Sequence, residues 1–406
     1  MDHFISTSIR HLAEGLKSED RTQLNKLIKQ LEQEGTPLVE KDPNNQGSYL
    51  VTFIWIGNKE TNNVFVFGSF PGWDLQTCQL ERLEDTNLWF KTYSTHEKLI
   101  STYQFSINDQ YGQNWLERSR HYQPDPYNKK SFLHAGDFEN PHHNDTMASI
   151  IELQMQIQSD TYRQIKPIPQ GKVMVHRFYS KILQSERRIW VYTPHDYSIE
   201  QAPYNLIVAL DGRATFTTLA ATTTLDTLIY EKRITPCIMI GIDCADRFEE
   251  LVFNTEFTAF VGKELIPWIR ESYHISHDPS HITICGFSLG GLAAFFIGTK
   301  YPELIGNILT LSGSVHWKKE GYSGNIPWIE HYFRTNSKLS LKIYMSAGKL
   351  ENKPLLEANQ NLHKELAQLG YHVHYDEFCG GHDEIWWREK LQTGLKCLSP
   401  IDNSGR

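Results

Sequence analysis

The sequence predicts a chain in two parts, a leading all-β domain and a trailing α/β domain whose parallel sheet carries helices on both faces. Three observations predict it. Apolar and aromatic residues alternate with a period of two from Tyr49 to about Asn108. Continuous apolar runs of strand length alternate with helical stretches after about residue 172. One of those runs passes through a Gly-x-Ser-x-Gly pentapeptide into an apolar helix.

Length and composition agree with a folded chain. At about 150 residues per domain, 406 residues make two or three domains, and 40% apolar with 22% charged residues is an ordinary globular mix. That excludes a disordered tail, a coiled coil and a small disulfide scaffold. No apolar run is long enough to span a bilayer. Met1-Asp2-His3-Phe4 has neither the basic region nor the apolar stretch of a signal peptide, so a cytoplasmic protein is expected. A formal net charge of −8 argues against nucleic-acid binding, and an anionic ligand needs a local basic pocket. Cys78, Cys237, Cys244, Cys285, Cys379 and Cys397 contain no CxxC pair, which predicts reduced thiols and no structural zinc.

In chain order, Leu24, Leu27, Ile28 and Leu31 form one helix face, with Gly35 where a C-terminal cap belongs. Val51, Phe53 and Trp55 alternate. Val64 to Gly68, Leu88 to Phe90 and Tyr103 to Phe105 are further short strands between Asn, Gly and Pro turns, which predicts an antiparallel β-sandwich. The helix and sandwich fill residues 1–155, residues 156–172 are the linker, and residues 173–406 form the α/β domain. Its expected strands are Arg188–Tyr192, Leu206–Leu210, Cys237–Ile242, Ile282–Cys285, Ile308–Leu311, Leu341–Ser346 and His372–Phe378. Helices are expected over Phe257–Arg270 and Pro354–Leu369.

The chemistry centres on Gly286-Phe287-Ser288-Leu289-Gly290. The pentapeptide is weak alone, but strand, sharp turn on small residues and helix together make the nucleophile elbow of an α/β-hydrolase. The first amide of the helix, Leu289, is then set to meet a developing oxyanion. A serine needs a base, and this fold supplies an acid and then a histidine downstream. Glu351 follows the strand Leu341–Ser346, and His382 follows the last strand on Gly380-Gly381. Asp376, Glu377 and Asp383 lie nearer to His382 and compete with Glu351 as the orienting acid. A second oxyanion donor is expected from the backbone of Gly212 and Arg213, after Leu206–Leu210.

These residues resemble the enterochelin (enterobactin) esterase family within the esterase-D-like α/β-hydrolases. The resemblance is carried by Gly380-Gly381-His382-Asp383 through Trp386-Trp387-Arg388 and by Gly348 to Glu351 with Asn359-Gln360. Leu210-Asp211-Gly212, Ile242-Asp243, Arg247 with Glu250-Leu251, and Ser312-Gly313-Ser314 add to it. In the leading half, Gly35 to Glu40, Val51 to Trp55 and Asp125 to Asn128 resemble that family's immunoglobulin-like domain. The resemblance implies hydrolysis of the lactone esters of a ferric catecholate siderophore, with iron released in the cytoplasm. It further implies Ser288 as nucleophile, His382 as base and Glu351 as acid. Arg213, Arg247, Trp317, Trp387 and Arg388 are implied as contacts to the substrate, with no cofactor, since iron belongs to the substrate. For each arginine a salt bridge within the fold competes, Arg247 with Glu249 or Glu250 foremost. The chain departs from the family at Phe287 and Leu289, where Gln and Phe are expected, and at Val315-His316-Trp317 and Lys318-Lys319, where a more aromatic turn is expected. Those positions are expected to line the pocket. Two other functions compete: an esterase or acyltransferase of the same fold acting on another bulky or aryl ester, and an inert binding protein using Trp55, Trp73 and Trp89 as a stacking platform.

Overall fold

A computed structural model describes residues 6–16, 22–83, 86–96, 98–110, 115–153, 167–201 and 203–399. Most of the expected linker, residues 156–166, lies outside the described residues. The chain forms two compact units, residues 1–156 with Cys379–Ile385, and residues 157–378 with 386–406. The seven residues Cys379–Ile385 were expected in the trailing part and group instead with the leading one.

Among the described residues the first unit has eight strands. β1 (Leu38–Lys41), β2 (Ser48–Ile56), β4 (Glu81–Arg82) and β5 (Leu88–His96) form one antiparallel sheet in the order β1-β2-β5-β4. β3 (Val64–Gly68), β6 (Ile100–Ile107), β7 (Ser131–His134) and β8 (Thr146–Glu152) form another, β3-β6-β8-β7. The period of two explains the packing. Val51, Phe53 and Trp89 point from the first sheet into a core shared with Val66, Tyr103, Phe105 and Ile151 of the second. The opposite face, Ile54, Leu88 and Phe90, is covered by helices Thr7–Leu16 and Thr22–Glu34 through Ile9, Leu12, Leu27 and Leu31. Gly35 ends the second helix at φ 92°, its N–H on the Leu31 carbonyl at 2.9 Å.

Trp89 is 8% exposed and lies opposite Trp55 across β2 and β5, and Trp55 packs edge-on to Phe105. Of the three tryptophans only Trp73 is exposed, so the expected stacking platform is corrected: Trp89 and Trp55 belong to the core.

Among the described residues the second unit has an eight-stranded sheet of β9 (Lys172–Ser180), β10 (Ser185–Thr193), β11 (Asn205–Leu210), β12 (Cys237–Ile242), β13 (Ile282–Phe287), β14 (Asn307–Leu311), β15 (Lys342–Gly348) and β16 (His372–Phe378). Their order is β16-β15-β14-β13-β11-β12-β10-β9. The pairs from β12 to β16 through β11 are parallel, while β10 runs antiparallel to β9 and β12. Strands β11 to β14 are buried on both faces, as continuous apolar runs require. One face packs on helices Leu289–Lys300, Trp328–Thr335 and Lys353–Gln368 and the helical run from Thr255 to Ser272. The other packs on Ala221–Tyr230 and Glu384–Leu398. Within the run from Thr255, the turn Val261–Leu265 is widened to i→i+5 bonding just before Pro267, which has no N–H to donate.

Strand order reverses at β11: the chain leaves it for β12 on one side and returns at β13 on the other. In open sheets of this kind the crevice outside the carboxyl ends at such a point is where ligands bind. The turns after β11 and β13 are Asp211-Gly212-Arg213 and Ser288.

Candidate active site

Ser288 sits between β13 and the helix Leu289–Lys300 with φ 55° and ψ −120°, a backbone region that costs a non-glycine residue about 1–3 kcal/mol. Neighbouring contacts hold it there. Its N–H donates to the Leu311 carbonyl at 2.9 Å, and its own carbonyl accepts from Gly291 at 3.1 Å and Ser314 at 2.9 Å. The turn closes only on glycines. A Cβ on Gly286 would lie 2.4 Å from the Gly290 backbone, and one on Gly291 would lie 2.5 Å from Thr310 Oγ1. The consequence is a half-buried Ser288 at the carboxyl end of a central strand, followed by Leu289 as the first helical residue. An amide at that position has no acceptor within its own helix.

Across the switch point, the Arg213 N–H donates to Asp243 Oδ1 at 2.6 Å. Asp243 also accepts from the Trp190 indole at 3.0 Å and from Arg188 Nε. The Arg213 amide is therefore engaged within the fold, and the expectation of a second oxyanion donor narrows to Gly212.

Arg247 forks Asp211, Nε to Oδ1 at 2.5 Å and Nη2 to Oδ2 at 2.8 Å, and its guanidinium lies over the Phe287 ring at 5.6 Å. The expected partners Glu249 and Glu250 are corrected: Glu250 pairs with Arg187 at 2.6 Å, and the fold brings Asp211 to Arg247 instead. Asp211 is 7% exposed in its side chain against 39% for Arg247, so the pair keeps one buried and one open member. Next to Arg247, Phe248 is 64% exposed and tilts toward half-buried Trp317 at 6.3 Å. Phe248 was not among the expected site residues; the sequence signal was an aromatic residue inside the otherwise charged run Arg-Phe-Glu-Glu.

Two expected substrate contacts have partners within the fold. Trp387 is 3% exposed, stacks on Phe287 at 4.6 Å and donates its indole N–H to Ser312 Oγ at 2.9 Å, so it supports the elbow from beneath. Arg388 donates to the Thr218 carbonyl, which ties the helix Glu384–Leu398 to the turn before Ala221–Tyr230. Leu289 and Val315, expected to line a pocket, are 4% and 1% exposed and belong to the core.

The acid candidates separate by their partners. Asp376 takes Lys390 Nζ at 2.7 Å, and Glu377 takes Gln360 Nε2 at 2.8 Å. Glu351 is 7% exposed in the turn after β15, its amide on the Gly348 carbonyl at 3.2 Å. Asn359 braces the neighbouring helix by donating to the Gly313 and Leu355 carbonyls at 2.8 and 2.9 Å.

His382 and Asp383 fold with the first unit. His382 is half-buried and its carbonyl accepts from the Ser69 hydroxyl at 2.7 Å. Asp383 is 1% exposed and takes the Thr102 N–H at 2.7 Å, the Thr102 hydroxyl at 3.1 Å and the Ser101 hydroxyl at 3.3 Å. Burial pushes its carboxyl above the ordinary carboxylate range, against the lowering effect of the Thr102 N–H. Asp383 as the acid for its neighbour His382 is thereby disfavoured, since its oxygens face β6.

Known proteins bear on this geometry. A profile of the Esterase family matches residues 180–398. An iron(III) enterobactin esterase of Escherichia coli is 31% identical over 220 residues, covering 53% of this chain and 54% of that one. An iron(III) salmochelin esterase of Escherichia coli is 30% identical over 230 residues, covering 53% and 55%. The chain thus matches about half the length of these curated relatives. A crystal structure of the enterobactin esterase of Shigella flexneri, determined in the presence of enterobactin, aligns with TM-score 0.73 at 23% identity, over 89% of this chain and 95% of that one. That likeness carries the fold. No helix among the described residues is long and apolar enough to cross a membrane.

Proposed function

The chain belongs to the Esterase family, and from that premise we propose that it is a serine esterase cleaving the lactone esters of a ferric catecholate siderophore of the enterobactin type. The observation that carries the chemistry is Ser288, held at φ 55° on a glycine turn between a central strand and a buried helix. The support for the substrate class is that relatives about 30% identical over half their length are iron(III) enterobactin and salmochelin esterases.

The reaction is two-step acyl transfer. His382 takes the Ser288 proton as the hydroxyl attacks the ester carbonyl, and Glu351 orients the imidazole. The Leu289 and Gly212 amides receive the oxyanion. His382 then gives its proton to the departing alcohol and later activates the water that frees Ser288. Arg213, Arg247 and Trp317 contact the substrate, and iron enters and leaves as part of it. The proposal includes a cytoplasmic setting for iron release, an immunoglobulin-like sandwich over residues 1–155, and the hydrolase domain over residues 173–406.

The Asp211–Arg247 fork favours a second reading. It neutralises one of the cations offered to a polyanionic ferric complex, which suits a bulky aryl ester of lower charge on the same machinery.

One experiment separates the two readings. The purified chain is incubated with ferric and iron-free tricatecholate trilactone, and linear products are followed by mass spectrometry. Cleavage that vanishes in Ser288→Ala supports the siderophore reading, since loss of the nucleophile lowers turnover by roughly a millionfold in a serine hydrolase. Intact trilactone beside a Ser288 that turns over aryl esters and labels with a fluorophosphonate leaves the second reading. Wild-type turnover in Ser288→Ala refutes both.

A further inference from the structure

Asp383 takes no part in the reaction above, yet it is one of the most enclosed carboxylates of the described residues. Its Oδ1 accepts the Ile385 N–H at 3.2 Å, which caps the helix that begins at Glu384. Capping does not account for the other oxygen. Oδ2 turns to β6, where the Thr102 N–H and hydroxyl and the Ser101 hydroxyl converge on it. Ser101 and Thr102 are themselves 0% and 8% exposed, and Ser101 Oγ also receives the Phe70 N–H at 3.0 Å.

The rest of the segment is bracketed by the same unit. The Ile100 N–H donates to the Cys379 carbonyl at 3.2 Å, and the Ser69 hydroxyl donates to the His382 carbonyl. Consecutive residues of one strand, Ile100, Ser101 and Thr102, thus fasten Cys379 and Asp383. The segment contains Gly380-Gly381, and ordering such backbone costs about 1–2 kcal/mol per residue, so its conformation needs outside anchors. The strongest is one residue from the histidine, with Cα atoms about 3.8 Å apart.

We infer that Asp383 is a positioning residue for His382, and that Ser101 and Thr102 of the leading β unit set the backbone of the histidine loop and so the aim of the imidazole. The inference rests on the reading of His382 as general base.

The test uses the full chain, a p-nitrophenyl ester, and Asp383→Asn, Thr102→Val, Thr102→Ser and His382→Ala, each with its melting temperature. Loss of aim shows in kcat: Asp383→Asn should lower kcat by about 100-fold, the cost of a displacement near 1 Å at a reacting group, with KM within about threefold. Thr102→Val should lower kcat by about tenfold, in keeping with one lost bond to a charged group, and Thr102→Ser should recover most of that loss. If Asp383→Asn does not fold, the Thr102 pair decides by itself. Wild-type kcat in Asp383→Asn with an inactive His382→Ala overturns the inference and leaves the base reading intact. So does a fall in kcat matched by a rise in KM and a lowered melting temperature, the pattern of a merely structural anchor. Wild-type turnover in His382→Ala removes the base reading and the inference with it.

Discussion

Replacing Trp387 with phenylalanine keeps the ring that stacks on Phe287 and removes the indole N–H that reaches Ser312 Oγ. Ser312 is fully buried in the turn after β14, and its N–H is already on the Ser346 carbonyl. Depriving its hydroxyl of the indole donor costs about 2 kcal/mol, and the smaller ring adds about 1 kcal/mol of lost contact and cavity. A total of about 3 kcal/mol corresponds to a melting-temperature drop of about 6–12 °C for a unit of 150–250 residues. The measurement is thermal unfolding by circular dichroism beside steady-state hydrolysis of a p-nitrophenyl ester. Stability should fall by that amount while KM stays within about twofold, because a side chain 3% exposed beneath the elbow does not meet a ligand. A melting temperature unchanged from wild type with KM raised tenfold would refute the reasoning and return Trp387 to the substrate.

Three further outcomes follow from the same geometry. Glu351→Gln should lower kcat by about 10⁴-fold, as loss of the orienting carboxylate does in a triad. Asp376→Asn and Glu377→Gln, whose carboxylates serve Lys390 and Gln360, should each cost about tenfold or less on the same ester assay; the reverse ranking would reassign the acid. Gly286→Ala sets a methyl 2.4 Å from the Gly290 backbone, so it should abolish fluorophosphonate labelling of Ser288 and destabilise by about 1–3 kcal/mol; normal labelling would contradict the packing. Asp383 binds a proton more readily in the folded chain than unfolded, because burial raises its carboxyl. Its contribution to stability therefore falls as pH rises from the ordinary aspartate value through the raised one. Urea unfolding at pH 4 and pH 7 should show wild type losing ground to Asp383→Asn as pH rises, and a gain instead would mean that the Thr102 donors outweigh burial.

The parts of this protein that the sequence determined are those written in local pattern. Strands β12 and β16 begin and end where their apolar or alternating runs do, and the elbow follows from glycine spacing, because a Cβ at Gly286 or Gly291 has nowhere to go. The helix face Leu27 and Leu31 and its Gly35 cap were equally plain. β9 was not, since its apolar run Val173-Met174-Val175 is short and lies exposed on an edge strand instead of marking a buried one. Side-chain partners escaped for a different reason: they are set by which strand ends meet in space. Arg247 has acidic neighbours two and three residues on, yet its partner is Asp211, 36 residues back across the switch point. The Arg213 amide looks available until Asp243, 30 residues away, takes it. Trp387 reads as an aromatic ligand contact until the fold buries it against Phe287. Asp383 looks like a rival acid for its neighbour, and only the tertiary structure pairs its carboxylate with Thr102 of β6, 281 residues earlier in the chain. Periodicity and glycine placement constrain a backbone one element at a time, and so can be read along the chain. A buried charge must find its donors wherever packing has brought them, and that is decided by the tertiary structure alone.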